Sequence, residues 1–380
     1  MRKKFLAIIL LAALLLPQLL SAKKWTAQSN EDLYADFLEF TEAFQRTAKE
    51  GGYAIADDLA LFIAELEAVS TKSPYAWIKM SHRFISDQIC RYAPGLDEPY
   101  SKEPRSIIRR NLLKMRDFPM HSNDVSDFFE PYVSEARNSF LKWLDTPAPA
   151  EGSLQIFKIY NMGYCLRTSK HVVIFDLVWD GTVSEMDYIA SKADILLLSH
   201  PHHDHYTKEM LEAMVRAGKY VVLPQDLIPG SKSSAKIVKT VSFNEMDLDG
   251  VSVRGFIGQQ SGDPCFVYVI DFDGWRFAHA GDNQTKEAEA YLAQIEALDV
   301  LTIAVWAKPQ VMMGHAMKAP GADKRETVFL SSHENEKLHT PDGRIGFNQA
   351  YDETDKFGSV TFNYPPLVIW ECGECITLTK

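Results

Sequence analysis

No glycine-rich phosphate loop follows any strand-like stretch of this chain, so dinucleotide-binding and P-loop readings have nothing to rest on. Cysteine is sparse: Cys90, Cys165, Cys265, Cys372 and Cys375 are too few for a disulfide scaffold, and an odd count leaves at least one outside any intramolecular pair. Positive charge is short as well. Lys and Arg number 40 against 51 Asp and Glu, a net charge of −11, which argues against nucleic acid as a partner because phosphate contacts need a basic surface. Long apolar runs are confined to residues 5–20. That run follows Arg2, Lys3 and Lys4, contains Pro17, precedes Ser21 and Ala22, and is shorter than the ~20 residues of a membrane span. It reads as a secretory signal peptide over residues 1–22, with no stable membrane span left after its removal. Export to the periplasm or the extracellular medium is the expectation, in a compartment where thiols oxidise.

What is present suffices for a large buried core: 46% hydrophobic and 11% aromatic residues in 380, with room for two domains. Ser29 with Asp32 three residues on starts a helix, Leu33, Phe37, Phe40 and Phe44 recur at helical spacing, and Gly51-Gly52 ends it. Further helices are expected over 55–69, 75–92, 104–116 and 123–144. Residues 23–146 therefore read as a small all-α domain. His82 and His121 have no neighbouring ligands there and read as packing or surface residues. Two prolines and a glycine make residues 147–152 a linker.

Past the linker the period becomes strand-like. Residues 154–159, 171–177 and 251–256 are apolar and β-rich, and 266–271 joins 275–280 across the hairpin turn Asp273-Gly274. Helical segments over 184–192, 207–217 and 284–296 alternate with them, which indicates an α/β domain over residues 153–340, with a β extension over 341–380.

The densest chemistry is Ser-His-Pro-His-His-Asp-His-Tyr, residues 199–206, directly behind the buried strand of residues 194–199. His200 and His202, two apart on an extended segment, project to one side where one ion can take both. Asp204 and His205, at the entrance to the next helix, point to a neighbouring position. His203 faces away. Imidazole with carboxylate suits Zn²⁺, one ion or two, with Mn²⁺ or Fe as alternatives.

His200-x-His202-x-Asp204-His205 behind an apolar strand resembles the signature of the metallo-β-lactamase superfamily, over roughly residues 152–338. The resemblance implies an αββα sandwich, two β-sheets flanked by helices, preceded here by the all-α domain. It also implies later ligands: Asp282, in Ala280-Gly281-Asp282, bridging two metals, and His333, at the end of the apolar stretch from Val328. In that scheme His200 and His202 hold one ion, and Asp204, His205 and His333 the other. Phe277-Ala-His-Ala-Gly-Asp282 is most similar to the branch containing ascorbate-phosphate lactonase. Asp176 is a candidate to orient one of the imidazoles.

One element of the family pattern is missing. Where a further histidine is expected, the chain reads Val253-Arg-Gly-Phe-Ile-Gly-Gln-Gln-Ser261. Gln259 or Gln260 stands nearest, and an amide oxygen is a poorer Zn²⁺ ligand than imidazole but suits harder ions. His279 or His315 reaching in is the other option, and His315 is also placed to contact substrate. Two adjacent cations acidify a shared water and polarise the oxygen under attack, with Asp204 orienting the water or taking its proton. The resemblance thus implies a hydrolase for a small lactone, ester or phosphodiester. The incomplete ligand set leaves a non-catalytic metal-binding or partner-recognition protein as the alternative. Nothing in the chain specifies oligomeric state.

At the C-terminus, residues 367–372 and 375–378 are strand-like around Gly373-Glu374, which suits a two-residue hairpin turn. Such a hairpin sets Cys372 opposite Cys375, at disulfide distance.

Overall fold

The computed structural model describes residues 29–70, 76–92, 94, 103–120, 125–224, 227–228, 236–239, 245–284, 286–307, 309–336, 346–358 and 367–380. The expected signal segment, residues 1–22, and His121 lie outside the described residues. Contacts divide the chain into two units, residues 1–132 with 335–359 and residues 133–334 with 360–380. The division falls inside a helix, ahead of the proline-rich stretch where the linker was expected, and part of the expected C-terminal extension goes with the helical unit.

The first unit holds α1 (Asn30–Glu50), α2 (Ile55–Ser70), α3 (Ala76–Ile89), α4 (Pro104–Met120), the start of α5 (Val125–Leu144) and, from later in the chain, α10 (Phe347–Gly358). Ser29 caps α1, its Oγ accepting the Asp32 N–H at 3.2 Å. Leu33, Phe37, Phe40, Phe44 and Ala48 form the buried stripe that the spacing predicts. Phe37 meets Trp77 of α3 and Phe118 of α4 at ring distances of 5.2 and 5.8 Å, so one aromatic residue joins three helices. The start of α10 is capped from α4: the Asp117 carboxylate accepts the N–H groups of Phe347 and Asn348 at 2.8 and 2.7 Å. A Cβ at Gly346 would lie 2.6 Å from that carboxylate, which explains glycine there.

The second unit is an αββα sandwich. One sheet contains β1 (Ser153–Tyr160), β2 (Gly163–Arg167), β3 (Val172–Phe175), β4 (Ile195–Leu197), β5 (Tyr220–Leu223), β6 (Ile237–Lys239) and β14 (Cys375–Thr379), in the order β14-β1-β2-β3-β4-β5-β6. The other contains β7 (Glu245–Leu248), β8 (Val251–Gln260), β9 (Asp263–Phe272), β10 (Trp275–His279), β11 (Val300–Ala304), β12 (Val328–Ser332) and β13 (Leu367–Val368), in the order β13-β12-β11-β10-β9-β8-β7. Their facing sides enclose one apolar layer that includes Ile156, Tyr164, Phe175, Leu197, Tyr268, Phe277 and Trp370. The outer face of the first sheet is covered by α6 (Val183–Lys192), α7 (Lys208–Arg216) and the end of α5, and that of the second by α8 (Lys286–Tyr291) and α9 (Pro309–Ala316). No helix among the described residues is long and apolar enough to cross a membrane.

The C-terminal hairpin does not form. β13 extends the second sheet beside β12, whereas β14 extends the first beside β1, with Ser153 opposite Thr379 and Phe157 opposite Cys375. Gly373, at φ 89°, turns the chain between them, and its N–H donates to the Lys158 carbonyl at 2.8 Å. Each segment satisfies its backbone on a different sheet edge, an outcome that local turn chemistry cannot reveal. No disulfide joins the described cysteines, so the pairing that such a hairpin would have allowed between Cys372 and Cys375 is not made.

Candidate metal centre

The cluster is assembled where parallel strands of both sheets end. β3, β4 and β5 run parallel in one sheet, and β10, β11 and β12 in the other. Asp176 follows β3, Ser199 to His205 follow β4, Asp282 follows β10 and His333 follows β12. Polar contacts cross the sandwich here: the Tyr268 hydroxyl donates to the Leu198 carbonyl at 2.9 Å, and the Tyr164 hydroxyl donates to the Ser331 carbonyl at 3.0 Å. Three turns of the candidate site adopt positive φ, at Asp176 (43°), Gly281 (52°) and His333 (68°). Two of these are not glycine, and such backbone tension gathers at functional sites.

Asp204, His205, Asp282 and His333, all buried, present ligand atoms within 4.8 Å of one another. His205 Nε2 stands 3.4 Å from Asp282 Oδ2 and 3.5 Å from Asp204 Oδ2; His333 Nε2 stands 3.0 and 3.6 Å from the same two atoms. Ligands ~2.0–2.1 Å from a tetrahedral cation are separated by about 3.3 Å. The four donors thus have the spacing of a coordination shell. Asn161, buried in the turn after β1, holds Asp204 by donating from Nδ2 to its Oδ2 at 3.0 Å and its carbonyl at 3.1 Å.

Asp176 fixes the imidazoles. Its carboxylate accepts the Ser199 N–H at 2.7 Å and hydroxyl at 2.6 Å, and faces His205 Nδ1 and His279 Nε2, each at 2.9 Å. A proton on His205 Nδ1 leaves Nε2 directed at Asp204 and Asp282. The Ser199 hydroxyl, spent on Asp176, can only accept from His200 Nδ1, 3.0 Å away, so His200 also presents a bare Nε2. Both ring nitrogens of His279 are engaged, the second by Thr302 Oγ1 at 3.0 Å, so His279 is an orienting residue and not an available ligand.

His200 and His202 lie side by side, ring centres 4.4 Å apart, with His200 Nε2 4.0 Å from Asp282 Oδ2. His200 is fully buried and His202 half-buried. His200, His205 and His333 thus all face Oδ2 of Asp282, and the His200 and His205 rings are 4.0 Å apart. Gln259 is exposed on β8, whereas Gln260 is buried. Asp263, directly opposite Gln260 in the β8–β9 register, places Oδ2 3.4 Å from His202 Nε2. His203 is exposed, and His315 stands half-buried on α9, outside the contacts of this cluster. Sequence reasoning missed Asn161 and Asp263: each acts across the fold, with no local spacing to mark it.

The buried polar atoms fit a cation. His200 Nε2, His205 Nε2 and Asp282 Oδ1 have no hydrogen-bond partner, a costly arrangement for buried groups unless a ligand takes them. Burial opposes a charged His205, yet the carboxylates of Asp282 and Asp176 outweigh it and raise its pKa well above the ordinary value. Burial likewise raises Asp282, but His333 and His205 override it and hold the carboxyl well below the usual range. Burial and the neighbouring His205 lower His200 to about 3, so that imidazole is neutral and its lone pair available.

Residues 163–320 match the family model of the beta-lactamase superfamily domain. Residues 163–320 therefore carry a beta-lactamase superfamily domain. The candidate-site turns after β4 and β10 lie inside the matched stretch, and His333 beyond it. Among solved structures, a metallo hydrolase from the archaeon Ignicoccus hospitalis is 15% identical, with a TM-score of 0.45 over 60% of this chain and 99% of its own. An isothiocyanate hydrolase from Delia radicum gut bacteria is 13% identical, with a TM-score of 0.42 over 60% and 100%. A diiron beta-hydroxylase from Streptomyces venezuelae is 13% identical, with a TM-score of 0.40 over 62% and 55%. No curated protein matches the chain.

Proposed function

We propose that this protein is an exported metal-dependent hydrolase acting on a small lactone, ester or phosphodiester. The observation that carries the reading is the buried set Asp204, His205, Asp282 and His333, spaced as a coordination shell and flanked by His200 and His202. Asp204, His205 and His333 would hold one cation, His200 and His202 a second, and Asp282 both. When bound, such cations supply Lewis acidity and lower the pKa of a coordinated water towards neutrality; Zn²⁺, Mn²⁺ and Fe all suit the donors.

The chain's own residues do the rest. Asp176 holds His205 in the tautomer that presents Nε2, and Ser199 does the same for His200. Asn161 keeps Asp204 in place, so its carboxylate is positioned to take the proton of the attacking water. His202 and Asp263, with side chains 29% and 53% exposed, mark the side open to substrate, while His205 and His333 are enclosed. Export rests on the character of residues 1–22 alone.

The test is metal-loaded protein assayed on lactone, ester, phosphodiester and β-lactam substrates, beside Asp204→Asn. Metal-dependent turnover lost in the variant supports the hydrolase. Intact metal binding with no turnover under Zn²⁺, Mn²⁺ or Fe²⁺ favours the non-catalytic binder.

A further inference from the structure

We propose that Asp263 is a metal ligand, completing the position of His200 and His202 in place of the histidine this chain lacks; the proposal rests on the two-cation reading above. The position of Asp204, His205, His333 and Asp282 already has four donors. At the other, His200 Nε2 is fully buried, has no hydrogen-bond partner and stands 4.0 Å from Asp282 Oδ2, with the His202 ring centre 4.4 Å from that of His200. Asp263 Oδ2 lies 3.4 Å from His202 Nε2, close to the ~3.3 Å separation of two ligands on one tetrahedral cation.

The backbone holds Asp263 in that place. β8 and β9 pair continuously from Ser252 opposite Asp271 to Gln260 opposite Asp263, so Asp263 opens its strand at the tip of a long hairpin. The two-residue turn, Ser261 at φ 52° and Gly262 at φ 99°, has the positive φ at both positions that fits a type I′ connection and leaves the register no slack. Residues directly opposite share a face. Gln260 therefore stands on the side of Asp263, buried, with its Oε1 lacking a hydrogen-bond partner, while exposed Gln259 is on the other. The glutamine closer to the candidate centre is thus Gln260, and the charged donor is its cross-strand neighbour.

A carboxylate in place of an imidazole adds a negative charge and a harder donor, so the set of two histidines and two aspartates favours Mn²⁺ or Fe²⁺ relative to a three-histidine site. The chain would keep its second cation by changing which strand of the hairpin supplies the ligand.

The test is metal stoichiometry and affinity by equilibrium dialysis with Zn²⁺ and with Mn²⁺, alongside Co²⁺ absorption spectra, on the full-length protein and on Asp263→Ala, Asp263→His and His333→Ala. Asp263 is half-exposed at a turn, and thermal unfolding of each metal-free variant checks that it is folded. The expected result is two ions in the parent protein, loss or at least a tenfold weakening of one in Asp263→Ala, and its recovery in Asp263→His with relative preference shifted towards Zn²⁺. Unchanged stoichiometry and affinity in Asp263→Ala overturn the proposal while leaving the metal centre standing. A parent protein binding one ion, lost in His333→Ala and kept in Asp263→Ala, overturns it too. No binding in any form overturns the two-cation reading together with it.

Discussion

The Asp176 carboxylate stands 2.9 Å from Nδ1 of His205, a residue 29 positions further along, and the same oxygen stands 2.9 Å from His279 Nε2 in the opposite sheet. One buried acid thereby ties the strand carrying the histidine cluster to the strand carrying Asp282. Burial disfavours its charge, but His205 and His279 outweigh that and hold the carboxyl far below the usual range. A permanent anion behind His205 keeps its other nitrogen turned towards the candidate cation.

Asp176→Asn should weaken metal binding by about 10–100-fold, the usual cost of removing an orienting partner. The amide retains the shape but loses the charge and one acceptor oxygen. Competition with a chromophoric chelator reads the effect; unchanged affinity would show that His205 is oriented without the carboxylate.

Gly281→Ala should disrupt the turn bearing Asp282. Its φ is 52°, and a Cβ there would lie 2.7 Å from the Ser199 Cβ and 3.2 Å from the Cys265 Sγ. A loss of about 1–3 kcal/mol is expected from overpacking, measured by urea unfolding. Metal affinity should fall as well, because Asp282 moves with the turn.

Lys158 and Glu334 form an enclosed ion pair, Nζ to Oε2 2.6 Å, with side chains 1% and 0% exposed. Nζ also donates to the Trp370 carbonyl at 2.9 Å. Glu334→Gln should cost about 3–5 kcal/mol because it leaves a buried cation uncompensated. The double variant Lys158→Met/Glu334→Gln should be far less damaged than the single changes sum to, and a double-mutant cycle of unfolding free energies measures the difference.

Stability should rise in alkaline solution on account of Lys114. Burial, and then the charge of Arg110, lower its pKa from 10.5 to about 8 against the opposing pull of Asp352, Asp355 and Asp117. Below pH 8 the folded protein bears the full cost of a buried ammonium. Between pH 8 and 10.5 the folded state has released a proton that the unfolded chain still binds, so stability increases by roughly 3 kcal/mol from this group. Lys114→Met should be the more stable protein at pH 7 and lack this rise, as read by urea unfolding across the range.

Much of the architecture was legible from short-range pattern. Phe37, Phe40 and Phe44 recur at helical spacing and lie buried on α1, and the Ser29 cap follows from one side chain reaching three residues ahead. The C-terminal pattern misled because Gly373-Glu374 suits a hairpin locally, while the open edges at β1 and β12 offered each segment a separate partner.

The sequence by itself determined which donors are available and in what order: a dense histidine–aspartate segment behind one apolar strand, then Asp282, then His333. Those choices are local, set by residue type and strand period. Only the tertiary structure decided that Asp176 serves both His205 and His279, that Asn161 grips Asp204, and that Asp263 faces His202. Each of those contacts joins residues brought together by strand register and by the burial of two sheets against one another. Such pairings arise because buried polar groups must find partners wherever the fold delivers them, and spacing along the chain carries no record of that requirement.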